Sequence, residues 1–254
     1  MLSVDDLFFE LSNEDRLALI RMLRAEPSNL TALSKKLDLS LQQTSRHLTR
    51  MGKTGLTEKN PSGKYSLTGY GWLIVDALDH LSFVSTYREY ICGHDLSGLP
   101  IDFLRTIDRL GKSDLKLNAI EFLGYISQNL EKADHFIYLQ IDLYPFDTAE
   151  NLKAAPENGV RVRVLKNHSV SSRDIAFNPV HLRSCDGELP LVEVRKSAID
   201  GPYLYVSDAG CAVAFKTGTE YDYKGFTSQD PDAVEWCRGL FQYNWETLPP
   251  HPSR

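Results

Sequence analysis

The sequence predicts a multidomain chain: an all-α domain closed by a β-hairpin wing, a long connecting helix, and a C-terminal α/β domain. Three observations carry this reading. Short helical patterns, with apolar residues recurring at spacings of three and four, give way to two β-prone runs around Pro61-Ser62-Gly63. A long helical pattern follows from about Trp72 to Ile91. Beyond it the period changes. Residues 135–141 and 160–165 read as strands on either side of a short helix at 147–155, with Gly159 at the helix exit. Strand, helix, strand in that order is a β-α-β unit and implies a mainly parallel sheet. The expected division is 1–70, 71–92 and 93–254.

Taken in order, residues 4–10 form a short helix. Ser12 is the expected N-cap of the next one, with Asp15 completing the cap and Leu17, Ile20 (or Leu19) and Leu23 on its inner face. Pro27 ends it. Leu30, Leu33 and Leu37 share a face of a third helix, and Ser40 is a good N-cap for a fourth. There Leu41, Thr44, Leu48 and Met51 point inward, while Gln42, Gln43, Arg46, Thr49 and Arg50 point outward. Residues 56–59 and 64–67 then make a hairpin with a basic tip. Helix, turn, helix and hairpin is the order of a winged helix-turn-helix.

An outward face of Gln, Thr and Arg suits a major groove, because Gln bonds adenine bidentately and Arg bonds guanine. On this reading Gln42, Gln43 and Arg46 read bases, Ser45 and Thr49 sit on the same face, and Lys36, Arg50, Lys53, Lys59 and Lys64 hold phosphates. A winged helix used only for protein assembly is the alternative that these residues leave open.

Charge placement favours DNA over the adaptor. The whole chain of 254 residues is acidic, at net −6. Residues 1–70 carry ten Lys and Arg against eight Asp and Glu. Between Lys35 and Lys64 there are seven basic residues and two acidic ones, a local patch that a phosphate backbone requires. The four cysteines, Cys92, Cys185, Cys211 and Cys237, lie far apart and form no CxxC, so neither a disulfide framework nor a zinc module is expected and a cytoplasmic setting fits. No basic-then-apolar leader opens the chain, and no apolar run approaches a bilayer span. The expected partners are double-stranded DNA and a second copy of the chain, with no membrane.

The helix at 72–91 carries Ile74, Ala77, Leu81 and Val84, and further on Ile91, at heptad-like spacing, a dimer seam whose alternative is burial between the domains. Residues 92–100, CGHDLSGLP, make a connector. A short helix is expected at 102–110 and a longer amphipathic one at 117–133, with Ala119, Leu123, Ile126 and Leu130 on one face. After the β-α-β unit come a strand at 191–195 and a hairpin, 203–207 with 211–215, around Asp208-Ala209-Gly210. Asp230 caps a last helix with Pro231 at its first position, burying Val234, Cys237, Leu240 and Phe241.

These residues carry a resemblance. Leu33-Ser34-Lys35-Lys36-Leu37, Thr44-Ser45-Arg46-His47-Leu48 and Gly55-Leu56-Thr57 resemble the winged helices of ArsR-type regulators. With the HDLSGLP connector, FIYLQI, GVRVRVL and YDYKGF, and a final helix bearing Trp236 and Trp245, nearly the whole chain is similar to the archaeal methanogenesis-regulator (Fil-type) transcription factors. The resemblance implies an archaeal transcription regulator whose second domain is phospholipase-D-like or TrmB-like and senses a small molecule or partner without being an enzyme.

The residues themselves agree on the last point. Phospholipase-D chemistry needs His-x-Lys-x4-Asp, so that His attacks phosphorus while Lys neutralises phosphate. No histidine has Lys two residues on, and the nearest look-alike is His181-Leu182-Arg183. No phosphate-binding glycine loop or nucleophile elbow is present, and no cofactor is expected. An ArsR-type metal-responsive repressor is the rival function. Cys92, His94 and Asp95 are clustered but read equally as a polar turn, and no metal is expected. For an effector, Arg161 and Arg163 share one face of a strand, as a basic pocket wall or a solvated edge. Gln140, Asp142, Tyr205 and Tyr223, near strand ends, are weaker pocket candidates.

Overall fold

The computed structural model describes residues 3–142, 148–167, 191–197 and 201–247. The chain divides into two compact units, 1–82 and 83–254.

The first unit is built from α1 (Val4–Leu11), α2 (Glu14–Ala25), β1 (Ser28–Asn29), α3 (Leu30–Leu37), α4 (Leu41–Lys53), the hairpin β2 (Thr57–Lys59) and β3 (Lys64–Leu67), and the start of α5 (Gly69–Thr86). The hairpin is the predicted wing. A two-residue strand that the sequence reading missed, β1, pairs with β3 and gives a three-stranded sheet in the order β1-β3-β2. Leu19, Ile20, Leu23, Leu33, Leu48, Met51, Leu56, Leu67 and Val75 form the core. Each fully buried Leu or Ile there stabilises the unit by roughly 1.5–3 kcal/mol.

Two local expectations are corrected. The cap of α2 is Asn13, whose side chain accepts from Arg16 N, whereas Ser12 closes α1 by donating to Phe9 O. Both residues are good caps, and the one-residue shift lets the end of α1 be satisfied as well. The inner face of α2 consequently rotates. Arg16 is buried in line with Leu19, Ile20 and Leu23, and Leu17 is only partly covered. At the wing's base Thr68 Oγ accepts from Gly71 N, and a Cβ at Gly71 would overlap the carbonyl oxygen of Leu56. Glycine is needed there because α5 starts against the backbone that opens the wing.

The long helix does not run unbroken to Ile91. It stops at Thr86, and a shorter α6 (Arg88–Gly93) follows after the non-helical Tyr87. Tyr87 N still donates to Phe83 O and Ile91 N to Tyr87 O, so the break is a kink. Aromatic packing accompanies it. The rings of Phe83, Tyr87 and Tyr90 converge on Phe226 with centroids 4.9–5.6 Å away. Phe83 and Tyr90 thereby belong to the core of the second unit, which begins before the 92–100 connector.

That unit continues with α7 (Ile101–Arg105), a 3-10 turn (Ile107–Lys112), β4 (Asp114–Lys116), α8 (Ala119–Leu130), β5 (Phe136–Ile141), α9 (Thr148–Glu157), β6 (Arg161–Asn167), β7 (Val192–Ser197), β8 (Tyr203–Ser207), β9 (Gly210–Ala214), the two-residue strands β10 (Lys216–Thr217) and β11 (Glu220–Tyr221), β12 (Gly225–Ser228) and α10 (Pro231–Glu246). A seven-stranded mixed sheet has the order β4-β12-β9-β8-β5-β6-β7. The predicted β-α-β unit is present, with β5 and β6 parallel, Leu139 opposite Val164, and β7 added in parallel. The mainly parallel sheet expected from it is corrected to a mixed one, because antiparallel strands, the β8–β9 hairpin among them, fill its other side. β8, β9, β12 and β4 are antiparallel. The edge strand β4 was not foreseen.

Alternate residues divide the sheet between two cores. Ile137, Leu139, Ile141, Val162 and Val164 pack with Phe122, Ile126 and Leu130 of α8 and Leu152 of α9. Tyr138, Leu165, Leu204 and Val206 pack with Trp236, Cys237, Leu240, Phe241 and Trp245 of α10. Asp230 caps α10 as predicted and Pro231 follows at its first position, but Ala233 and Trp236 are buried where Val234 was expected. In α8, Phe122 and Asn129 are buried and Leu123 and Ala119 only partly. Asp208, in the β8–β9 turn, accepts from the backbone N–H groups of Asp134, His135 and Phe136 where β5 begins. Burial opposes its ionisation, yet these bonds outweigh burial and hold its pKa below the ordinary aspartate value.

Candidate nucleic-acid interface

The face that α4 presents is fixed by the face it buries. Ser40 caps the helix in a reciprocal box with Gln43, and Thr44, His47, Leu48 and Met51 are buried. Leu41, expected inside, is half exposed, because as the first helical residue it projects beyond the α3–α4 contact. His47, which no apolar pattern marks, takes the inner position. Its Nε2 lies 3.4 Å from Asp15 Oδ2, and its Nδ1 has no partner among the described residues. Burial lowers the His47 pKa; Asp15 opposes this, and Arg16 and Arg46 add to it.

Outward, Gln42, Gln43, Arg46, Thr49, Arg50 and Lys53 are all exposed and Ser45 is partly so. They differ in how free they are. Gln42, Arg46 and Lys53 have no side-chain partner among the described residues, and neither has Lys64 on the wing. Gln43 Oε1 is occupied, accepting from Ser40 N and Oγ at 3.1 and 2.8 Å. Thr49 Oγ donates to Ser45 O, Lys36 pairs with Glu26 at 3.2 Å, and Lys59 Nζ stands 5.3 Å from the Tyr65 ring centre. The wing tip is ordered by Asn60, whose Oδ1 accepts from Lys64 N and Ser62 Oγ, and by Gly63 at φ +83°.

Arg50 is engaged most strongly. Its Nε and Nη2 donate to the two Glu10 oxygens at 3.2 and 2.5 Å, and its guanidinium lies over the Phe9 ring. Glu10 also faces the buried Arg16, which donates to the carbonyls of Glu10 and Phe9. Sequence reasoning missed this cluster, since nothing local joins position 10 to position 50.

Of the second-unit residues proposed for an effector, Asp142 and Tyr223 are brought together, and the others do not join them in one site. Gln140 and Tyr205 are both buried, but towards opposite faces. Gln140 Oε1 accepts from Asn244 of α10, and Tyr205 OH bonds Ser207 Oγ within the other core. Tyr223 OH donates to Asp142 at 2.8 Å. Arg163 is no open pocket wall. It pairs with Glu193 at 2.9 Å and lies 5.0 Å from the Trp245 ring centre, while Arg161 is exposed. A separate cleft of about 170 Å³ is lined by Asp95, Ser97, Leu99, Gly201, Phe215 and Lys216.

His94, from the weighed metal cluster, stacks on Tyr90 and bonds Tyr90 O and Asp222, while Cys92 is exposed. Among the described residues no three His, Cys, Asp or Glu are grouped to hold a metal ion. His181, Arg183 and Cys185 lie outside the described residues. No described helix is long and apolar enough to cross a membrane.

No family model matches the chain, and no curated protein matches it either. Among solved structures it is similar to TrmBL2, an archaeal chromatin protein with a novel mode of DNA binding, at 14% identity and a TM-score of 0.43, over 92% of this chain and 93% of that one. It is also similar to NucT from Helicobacter pylori, at 14% identity and a TM-score of 0.40, over 54% of this chain and 96% of that one. Both scores lie below 0.5, and neither likeness bears on function.

Proposed function

We propose that the chain is a cytoplasmic, sequence-specific DNA-binding transcription regulator that acts by binding and carries out no reaction. The observation that carries this is the outer face of α4: Gln42, Arg46 and Lys53 stand exposed, with no partner among the described residues, on a helix whose inner face is packed. Side chains already satisfied within the fold need no external acceptor, and these have none. In the major groove Arg46 and Gln42 reach base edges, while Lys53, Lys64 and Lys59 meet phosphates. Gln43 serves the helix cap first.

The reading includes a homodimer. Along α5 the residues Leu73, Ala77, Leu81 and Val84 are exposed, with Leu73 at 72% and Leu81 at 50%, and they form an apolar ridge on the helix. Leu73 replaces Ile74 in the seam, because Ile74 leans on the winged core. It also includes an effector for the second unit. The cleft at Asp95, Leu99 and Lys216 supports that more than the scattered residues around Arg163 do. The methanogenesis-regulator and ArsR-type likenesses belong to this proposal as its finer form.

A protein-assembly adaptor is the second reading. It is favoured by α1, where Val4, Phe8 and Phe9 are more than half exposed. Sequencing of DNA fragments retained by the purified protein from sheared genomic DNA, repeated at low and high salt, separates the two. Enrichment of a common motif supports the regulator; no retained DNA even at low salt refutes it.

A further inference from the structure

We propose that Glu10 is a positioning residue for the DNA contact: its carboxylate holds the Arg50 guanidinium by one edge so that the other edge meets a backbone phosphate. This rests on the DNA-binding reading above and adds α1 to the interface.

Exposure decides the direction. Glu10 is in ion-pair contact with both guanidiniums, and Asp15 also acts on Arg16. The Glu10 and Arg16 side chains are only 10% and 7% exposed, whereas Arg50 is 43% exposed. Arg50 is therefore the guanidinium of the two that solvent, or a phosphate, can reach. Geometry agrees. Glu10 takes Nε and Nη2 in a fork, and Nη1 has no partner among the described residues. A guanidinium has five donors in a plane, so one occupied edge leaves another pre-aimed. Arg46, Arg50 and Lys53 follow each other at spacings of four and three, which puts Arg50 on the same helix face as the unpartnered Arg46 and Lys53. The anchor is itself fixed, because Arg16 of α2 bonds the last carbonyls of α1 at 2.6 and 3.0 Å. An arginine so held loses less rotamer freedom on meeting a phosphate than a free one.

The test is fluorescence anisotropy on a random-sequence DNA duplex over a salt series, with circular dichroism and thermal unfolding to monitor the fold. Wild type is compared with Glu10→Gln, Arg50→Ala, Arg50→Lys and the double Glu10→Gln/Arg50→Ala. Glu10→Gln is expected to weaken binding by ~3- to 10-fold. Arg50→Lys, which keeps the charge and loses the fork, should fall as far. In the Arg50→Ala background Glu10→Gln should change nothing, and the salt slope of both should drop by ~0.9. Tighter binding by Glu10→Gln, unchanged binding, or additive losses in the double variant overturn the proposal. Should Glu10→Gln unfold because Arg16 is left buried without a counter-charge, Glu10→Asp and Arg50→Lys decide instead, and wild-type affinity in both refutes it. Wild type that binds no DNA refutes the function as well. Wild type that binds, with Glu10 indifferent, refutes this inference alone.

Discussion

Replacing Arg46 by Ala separates reading a base from holding a phosphate. Arg46 is exposed, has no partner among the described residues and points away from the core. Its loss should leave unfolding free energy within about 0.5 kcal/mol of wild type, the range for surface sites away from special features. Affinity is another matter. A bidentate contact to guanine is worth ~1–3 kcal/mol of discrimination, or ~5- to 150-fold. The assay is anisotropy titration on an enriched genomic site and on a random duplex, each over a salt series. If Arg46 reads a base, the variant loses affinity on the genomic site only, and its salt slope is unchanged. If it holds a phosphate, both duplexes lose equally and the slope falls by ~0.9. Arg46→Lys should resemble Arg46→Ala in the first case, because Lys lacks the fork, and wild type in the second. Unchanged affinity on both duplexes would refute the assignment of α4 to the groove.

Leu81→Glu should convert the dimer to a folded monomer by light scattering at micromolar protein; a wild-type monomer would end the dimer proposal. Gly71→Ala should destabilise the winged unit by ~1–3 kcal/mol, since its Cβ would meet the Leu56 backbone, while Gly69→Ala, at an open helix start, should stabilise it by ~0.4–1 kcal/mol. Equal thermal shifts for the two would contradict that packing. His47 makes stability depend on pH. Its folded pKa lies below the unfolded value of about 6.5, so the unfolded chain takes up the proton more readily. Stability should be complete above that value, fall as pH drops beneath it, and level off below the folded pKa. Urea unfolding at about pH 7.5 and about pH 5.5 checks this, and a His47→Gln variant should lose that part of the difference.

What the sequence revealed was what local pattern encodes. Periods of 3.6 and 2 placed α3, α4 and β6, richness in β-formers placed β5, and Ser40 and Asp230 announced the helices they cap. Adjacent residues of equal capping power, Ser12 and Asn13, left a choice that only the end of α1 resolved. Short strands such as β1 and β4 have no period to detect. The states of the charged groups were the least legible, because they depend on partners distant in sequence. Arg50 meets Glu10 and Arg163 meets Glu193, so two residues read as free cations are held in pairs. His47, which the pattern assigned to neither face of α4, is buried beside Asp15 from another helix.

The outer strand β4 carries a consequence for solubility. Among the described residues it pairs only with β12, so one row of its backbone groups has no neighbouring strand. It is three residues long, and Asp114, at 82% side-chain exposure, stands beside Lys116. A strand from another molecule that docked there would have to desolvate that ion pair for very few ladder bonds. Apolar residues follow at once: Leu117 and Ile120 are 65% and 81% exposed. The two charges thus act as gatekeepers beside an adhesive stretch, and exchanging both for Val or Thr would turn this edge into a template for aggregation.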